Sequence, residues 1–535
     1  MELSLSIRHG RFNLIKKTIL LLKIARKLAK SEALNIISKT YNPPFLIKFF
    51  FLIFGFRLNK DSLKHQNKTS GQRLCLSIQE MGTTFIKLGQ FLATRPDIIG
   101  ENLAKDLEIL QDKLPEFSKR EAALILKKEL GENIYNNITE FSEPIAAASI
   151  AQVHFAKIKI NGNVKEVAIK ILRPSIEKMF NEEIDALMLL ASLTENIVSK
   201  SRRLKLIEVV HLLREITNLE MDLRFEAAAA NELYENTKND IGISIPKIYW
   251  NFTTKNILTL DKIDGISIRE TEQLKKNGIN LTKLSKHIIQ HFLKQAVRDG
   301  FFHADMHQGN IFINKNSEII PVDFGIMGRL DELSKRYLAE ILYGFIQRDY
   351  KKVAEVHLLA NLVPKHTSLS EFAQALRAIG EPIFGQSVKN ISGSKLLNQL
   401  FEVTEKFNMQ TQPQLLLLQK TMVVIEGVAR KLDPETDIWK TSKPILENWL
   451  KETKNPLNKI NETFVNTTEV IKRLPELPKI MDKANQALTL IVEGKITQNS
   501  STYYSFEKEE LKIKSYKNNF IIIFLILVIF LLLVF

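Results

Sequence analysis

Cysteine occurs once in 535 residues, at Cys75. No intrachain disulfide can form, which is consistent with a reducing compartment. Most of the basic imbalance is N-terminal: residues 1–70 hold 14 Lys and Arg against Glu2, Glu32 and Asp61, a local excess of 14 − 3 = +11 within a chain of net +15. No recognisable nucleic-acid reader motif accompanies that excess, so a nucleic-acid partner is not expected. No internal repeat is apparent, and a long apolar run is found only at the end. What is present is enough material for a large core, since 45 % of the residues are hydrophobic and the length suggests two to four domains.

The basic excess has a local pattern. Leu14, Leu21, Ala25 and Leu28 fall on one helical face, with Lys16, Lys23, Lys27 and Lys30 opposite. Such a helix suits an anionic membrane surface, where each basic residue contributes on the order of 1 kcal/mol. A solvated helix packed on the body, or a transit peptide, is also basic and acid-poor. The run Phe45 to Phe56 contains Lys48 and reads as interfacial or core. Phe520 to Phe535 is unbroken apolar sequence preceded by Lys512, Lys514 and Lys517. The expectation is a transmembrane anchor with the preceding domain on the cytoplasmic side, although sixteen residues span only about 24 Å as a helix.

The chemistry concentrates near the middle. His303-Ala304-Asp305-Met306-His307-Gln308-Gly309-Asn310 is followed by Val322-Asp323-Phe324-Gly325. In protein kinases the loop H-R-D-x-x-x-x-N supplies a carboxylate that orients the attacking hydroxyl, while its Asn and the Asp of D-F-G hold magnesium. The runs 310–313 and 319–322 read as two strands joined by the turn Asn314 to Ser317, a hairpin that would bring Asn310 and Asp323 together. The four-residue spacing of His303 and His307 could suggest zinc, but Gly309 and the absence of H-E-x-x-H argue against it. Upstream, Val153 to Ile160, the turn Asn161-Gly162, and Val167 to Leu172 read as a hairpin with a link longer than two residues. Its Val-Ala-Ile-Lys places Lys170 where kinases carry the lysine that neutralises the alpha and beta phosphates of ATP.

Two kinase parts are missing. In place of a G-x-G-x-x-G loop the chain has Ile145-Ala146-Ala147-Ala148-Ser149-Ile150-Ala151-Gln152-Val153. Alanine restricts positive dihedrals and holds the backbone further from phosphates, so nucleotide binding should be altered but retained. No A-P-E follows Asp323-Phe324-Gly325; the chain runs directly into a helical pattern from Glu332 to Arg348, so no platform for a peptide is expected.

These residues resemble the UbiB family of atypical kinase-like proteins, associated with ubiquinone biosynthesis, over roughly residues 70 to 330. The hallmarks are Lys87-Leu88-Gly89-Gln90 (K-x-G-Q), the alanine-rich loop, Glu220-Met221-Asp222 (E-x-D), the loop His303 to Asn310 and the D-F-G. The resemblance implies that Glu226 pairs with Lys170. It also implies that a K-x-G-Q helix crosses the place where a peptide would bind, with Lys87 and Gln90 meeting Glu220 and Asp222. Met81, Phe85, Leu88 and Leu92 recur at three- and four-residue intervals, as a helix with one buried face requires.

The expected fold is α+β: a bilobal protein-kinase-like fold with N-terminal K-x-G-Q helices, a helical C-terminal extension and a C-terminal transmembrane segment. The expected divisions are 1–68 basic and membrane-proximal, 69–130 K-x-G-Q extension, 131–262 N-lobe, 263–360 C-lobe, 361–517 helical, and 520–535 anchor. The expected catalytic residue is Asp305, with ATP held by Lys170, Glu226 and residues 145–153, and Mg2+ by Asn310 and Asp323. The expected function is an ATP-dependent phosphotransferase or ATPase serving ubiquinone synthesis at a bacterial inner membrane. Its partners would be anionic lipid and the biosynthetic enzymes or their prenylated precursors. A nucleotide-binding pseudokinase scaffold is the alternative.

Overall fold

The structure is a computed structural model that describes residues 70–93, 115–197, 205–384 and 413–454, with a few isolated residues between. Two helices come first, α1 (Ser70–Met81) and α2 (Thr83–Ala93), separated at Gly82, whose φ of 105° suits glycine. Helix α3 (Lys119–Leu130) begins in a capping box, Ser118 and Glu121 bonding reciprocally to each other's backbone.

A five-stranded antiparallel sheet follows: β1 (Ile138–Thr139), β2 (Pro144–Ala147), β3 (Ala151–Ile160), β4 (Asn163–Leu172) and β5 (Ile257–Asp261), in the order β1-β3-β4-β5 with β2 also on β3. The β3–β4 link is tighter than the sequence suggested. Ile160 pairs with Asn163, leaving only Asn161 and Gly162, at φ 49° and 80°, in the turn. Positive φ at both positions matches the right-handed twist of the strands, so β4 starts four residues earlier than its apolar run. The β-strand at Pro144–Ala147 likewise replaces the helix start that Ala-Ala-Ala-Ser would suggest in isolation.

Between β4 and β5 lie α4 (Ile176–Ile197), α5 (Leu206–Glu220) and α6 (Leu223–Thr237). The remainder is mainly helical and encloses short strands: β6 (Ile266–Ser267), α7 (Leu281–Leu293), a π-helical turn Lys294–Asp299, β7 (Phe301–His303), β8 (Ile311–Ile313), β9 (Ile319–Pro321) and β10 (Met327–Arg329). Then come α8 (Glu332–Ile346), α9 (Tyr350–Leu359), α10 (Leu369–Phe384), α11 (Pro413–Leu432) and α12 (Ile438–Lys454). Strands β8 and β9 form the expected hairpin, and β10 pairs with β7.

The membrane anchor is corrected. Among the described residues no helix is long and apolar enough to cross a membrane, so the fold is a mixed α/β body with a helical extension and no spanning element among its parts. Residues 520–535 lie outside the described residues, as do the basic helix at 14–30 and the run 45–56.

The core behind β7 is tight. A Cβ added at Gly328 would press into the ring of Phe302, which is fully buried and is Gly328's partner in the β7–β10 pairing. A buried ring hemmed by strands cannot move aside cheaply. Gly328→Ala is expected to lower unfolding free energy by about 1–3 kcal/mol, measured by denaturant titration; unchanged stability would show that β7 and β10 separate freely.

Among the described residues four histidines are buried: His154, His291, His303 and His357. Burial holds each below its ordinary pKa, His291 at about 4. The unfolded chain therefore binds protons more readily, and the stability they contribute is complete above pH 6.5 and lost as pH falls below it. For His291, whose shift is large, the slope is on the order of 1 kcal/mol per pH unit in that acid window. Unfolding free energies at pH 7 and pH 5 should show the fall; equal values would contradict it.

Candidate active site

Lys170 sits on β4 between Val153 of β3 and Leu258 of β5. Its ammonium donates to both Glu226 carboxylate oxygens at 2.9 Å and to Asp323 Oδ1 at 3.1 Å. Glu226 is placed by α6, whose N-cap Asp222 accepts from the Arg224 backbone N–H. The strand lysine and its carboxylate, 56 residues apart, therefore meet as expected.

Burial alone would lower the Lys170 pKa, but Asp323 and Glu226 outweigh it and hold the ammonium above its ordinary value. Burial raises Glu226, and Asp323 adds to that against the pull of Lys170. Lys170 holds the Asp323 carboxyl well below the usual carboxylate range, with a smaller contribution from Lys87. Two carboxylates thus share one cation. Asp323 is half exposed and left-handed, with φ 62°, a conformation tolerated by aspartate and often found at functional sites.

The loop between β7 and β8 is organised by His303. Its Nδ1 accepts from the Asp305 backbone N–H at 3.1 Å, so its Nε2 must carry the proton it donates to Val322 O at 3.1 Å. One neutral imidazole thereby ties the Asp305 loop to the residue preceding Asp323. Asn310 makes the second tie: its Nδ2 donates to Asp305 O at 3.1 Å, and its carbonyl accepts from Val322 N–H at 2.9 Å. The Asp305 side chain remains 40 % exposed, with His307 Nε2 at 3.8 Å from Oδ2. His303 and His307 are thus occupied in loop geometry. Among the described residues no group of three or more His, Cys, Asp or Glu is arranged to hold a metal by itself. Asn310 and Asp323 offer two hard oxygen donors, the partial set Mg2+ accepts when phosphates and water complete its octahedron.

The alanine-rich loop forms without positive φ anywhere in 144–153. Ile145 and Ala146 are exposed and Ala147 and Ala148 half-buried, whereas Ser149, Ile150, Ala151 and Gln152 are buried. Gln152 is held by the Phe117 backbone, accepting from its N–H at 3.0 Å and donating to its O at 3.1 Å. It faces the body rather than the cleft, and Val153 continues the strand beside Lys170. Arg173 fixes the turn from behind, donating to Ala148 O at 2.8 Å and to Pro115 O at 2.7 Å.

The K-x-G-Q helix α2 packs against this loop, the Thr83 hydroxyl donating to Ser149 O at 3.1 Å. Lys87 pairs with Glu220 at 2.8 Å, both largely buried. Gly89 is a close approach: a Cβ there would meet Leu110. The second E-x-D carboxylate, Asp222, caps α6 and takes the Arg224 guanidinium at 2.6 and 2.9 Å. Gln90 is half-buried on the same helix.

Several ties had no motif to announce them. Arg329, after the D-F-G, forms a bidentate pair with Glu232 of α6 at 2.7 and 2.8 Å, and Arg298 holds Asp240 just past that helix at 2.8 and 3.0 Å. Both clamp the helix that carries Glu226. Only the excess of charge near β7 and β10 could have hinted at them.

Residues 109–357 match the ABC1 atypical kinase-like domain and residues 376–437 the UbiB helical domain. A protein of Histophilus somni (strain 129Pt) named "Probable protein kinase UbiB" is 41 % identical over 430 residues, 79 % of each chain. Its namesake in Pasteurella multocida (strain Pm70) is 42 % identical over 401 residues, 73 % of this chain and 76 % of the other. Among solved structures, the erythromycin complex of Rv3197 from Mycobacterium tuberculosis is 20 % identical with a TM-score of 0.47, covering 69 % of this chain and 90 % of that one. With identity of this level over four-fifths of its length and both domain types in sequence, the chain belongs to the UbiB family of atypical kinase-like proteins.

Proposed function

We propose that this protein is an Mg-ATP-dependent phosphotransferase or ATPase whose turnover supports ubiquinone biosynthesis, the process its family implies. The observation that carries the reading is Lys170 held between Glu226 and Asp323, the charge arrangement that phosphoryl transfer needs and a merely structural lysine does not. Lys170 neutralises the alpha and beta phosphates, and Glu226 keeps it aimed. Asp323 and Asn310 are the residues that would hold Mg2+, which supplies charge neutralisation at the transferring group. Asp305, exposed in the cleft and held by backbone ties to His303 and Asn310, orients the attacking hydroxyl or water and accepts its proton.

The acceptor is lipid-like or water. From β10 the chain passes at once to Asp331, which caps α8 through Ser334 N–H, so the described residues leave no peptide platform after the D-F-G. Helix α2 further narrows access, being bound to the alanine-rich loop and to Glu220. Phosphorylation or mobilisation of a prenylated precursor fits this cleft; regulation of a biosynthetic enzyme would act through the same turnover. The basic excess at residues 1–70 suits the anionic surface where such precursors reside.

The alanine-rich loop favours a second reading, a nucleotide-binding scaffold without catalysis. Phosphate release from Mg-ATP by the purified protein on anionic vesicles separates the two. Turnover abolished by removing Mg2+ supports the enzyme; nucleotide binding without phosphate release would establish the scaffold.

A further inference from the structure

We infer that helix α11, in the helical extension, positions the Asp305 loop, and that Thr421 is the residue through which it does so. The inference rests on the phosphotransferase reading for its effect on turnover, but the geometry stands apart from it. Leu418, Ile425, Val428, Ala429 and Leu432 form the buried stripe of α11 and share a core with Phe302 of β7 and with Ala304 and Met306 of the loop. Thr421 falls on that stripe, three residues after Leu418 and four before Ile425, and is 1 % exposed. An apolar side chain would serve packing there, so a buried hydroxyl needs a reason.

The hydroxyl supplies one. Thr421 Oγ1 lies 2.7 Å from Leu417 O, the bond any helical threonine can make to its own preceding turn, and 3.0 Å from Ala304 O. Ala304 immediately precedes Asp305. Its N–H already donates to Ile326 O at 3.0 Å, beyond the D-F-G, so the Thr421 contact fixes the other side of the same residue. At the far end of the loop Lys431 donates to Gln308 Oε1 at 2.8 Å. The two ties lie 431 − 421 = 10 residues apart on the helix and 308 − 304 = 4 apart on the loop, with Asp305 and His307 between them.

Thr421 is thus a positioning residue, acting on Asp305 through the Ala304 carbonyl. Lys170 and the alanine-rich loop lie on other elements and are untouched by it.

The test compares the full-length wild type with Thr421→Val, which keeps the shape and removes the hydroxyl, and with Thr421→Ser, which restores it. Amide hydrogen exchange should quicken at Asp305, Gly309 and Asn310 by about tenfold in Thr421→Val and stay unchanged at strand β4. The kcat for Mg-ATP turnover should fall about tenfold with nucleotide Kd within twofold, and Thr421→Ser should recover both. Wild-type exchange and kcat in Thr421→Val would overturn the inference. So would a Thr421→Ser variant no better than valine, or a loss of nucleotide binding in step with a lowered Tm. If the wild type itself releases no phosphate, the phosphotransferase reading fails and the exchange comparison alone decides the positioning role.

Discussion

Replacing Lys170 with methionine is expected to lower ATP turnover by at least about 100-fold, since one charge-assisted contact to a transferring phosphate is worth several kcal/mol in a water-poor site. Stability should fall as well, for a separate reason. Glu226 is 8 % exposed and relies on the Lys170 ammonium at 2.9 Å. Removing one partner of a buried pair leaves an uncompensated charge, on the order of 3 kcal/mol. The double variant Lys170→Met/Glu226→Gln separates the effects, because a neutral amide tolerates the apolar neighbour better than a carboxylate does. Stability should return in the double variant while turnover does not. If turnover returned with stability, Lys170 would be a structural residue and the proposed role wrong.

Asp305→Asn has the opposite profile. Its side chain is 40 % exposed, and the loop is tied through its backbone N–H and C=O, both of which the asparagine keeps. Folding and Mg-ATP binding should therefore be close to wild type. Turnover should fall by about 10²–10⁴-fold, the range associated with losing a positioned general base. Calorimetric Kd beside phosphate release reads both quantities. A variant that binds nucleotide normally and still turns over at the wild-type rate would remove Asp305 from the chemistry.

The parts of the site legible in the sequence were those with fixed local spacing. Asp305 and Asn310 were legible from the H-x-D-x-x-x-x-N spacing, and two short apolar runs around a polar turn brought Asn310 and Asp323 to one end of a hairpin, β8–β9. Lys170 was legible from its strand. Glu226 was reached only through the family resemblance, since no spacing rule connects a strand residue to a helix residue 56 positions later. The pairing of Lys87 with Glu220 was reached through the family resemblance, and Asp222 also bonds the start of its own helix, where an N-cap carboxylate meets the free N–H groups. The anchor at 520–535 was inferred from hydropathy alone and is no part of the described fold. Thr421, Arg298 and Arg329 act across more than 50 residues each, and such ties carry no sequence signature before the fold is known.

Support of quinone synthesis by phosphoryl chemistry at Asp305 is tested by quinone and precursor profiling in cells whose only copy of the protein carries Asp305→Asn, at wild-type protein level. Loss of ubiquinone with accumulation of a prenylated precursor is expected. Normal ubiquinone in that strain would contradict it.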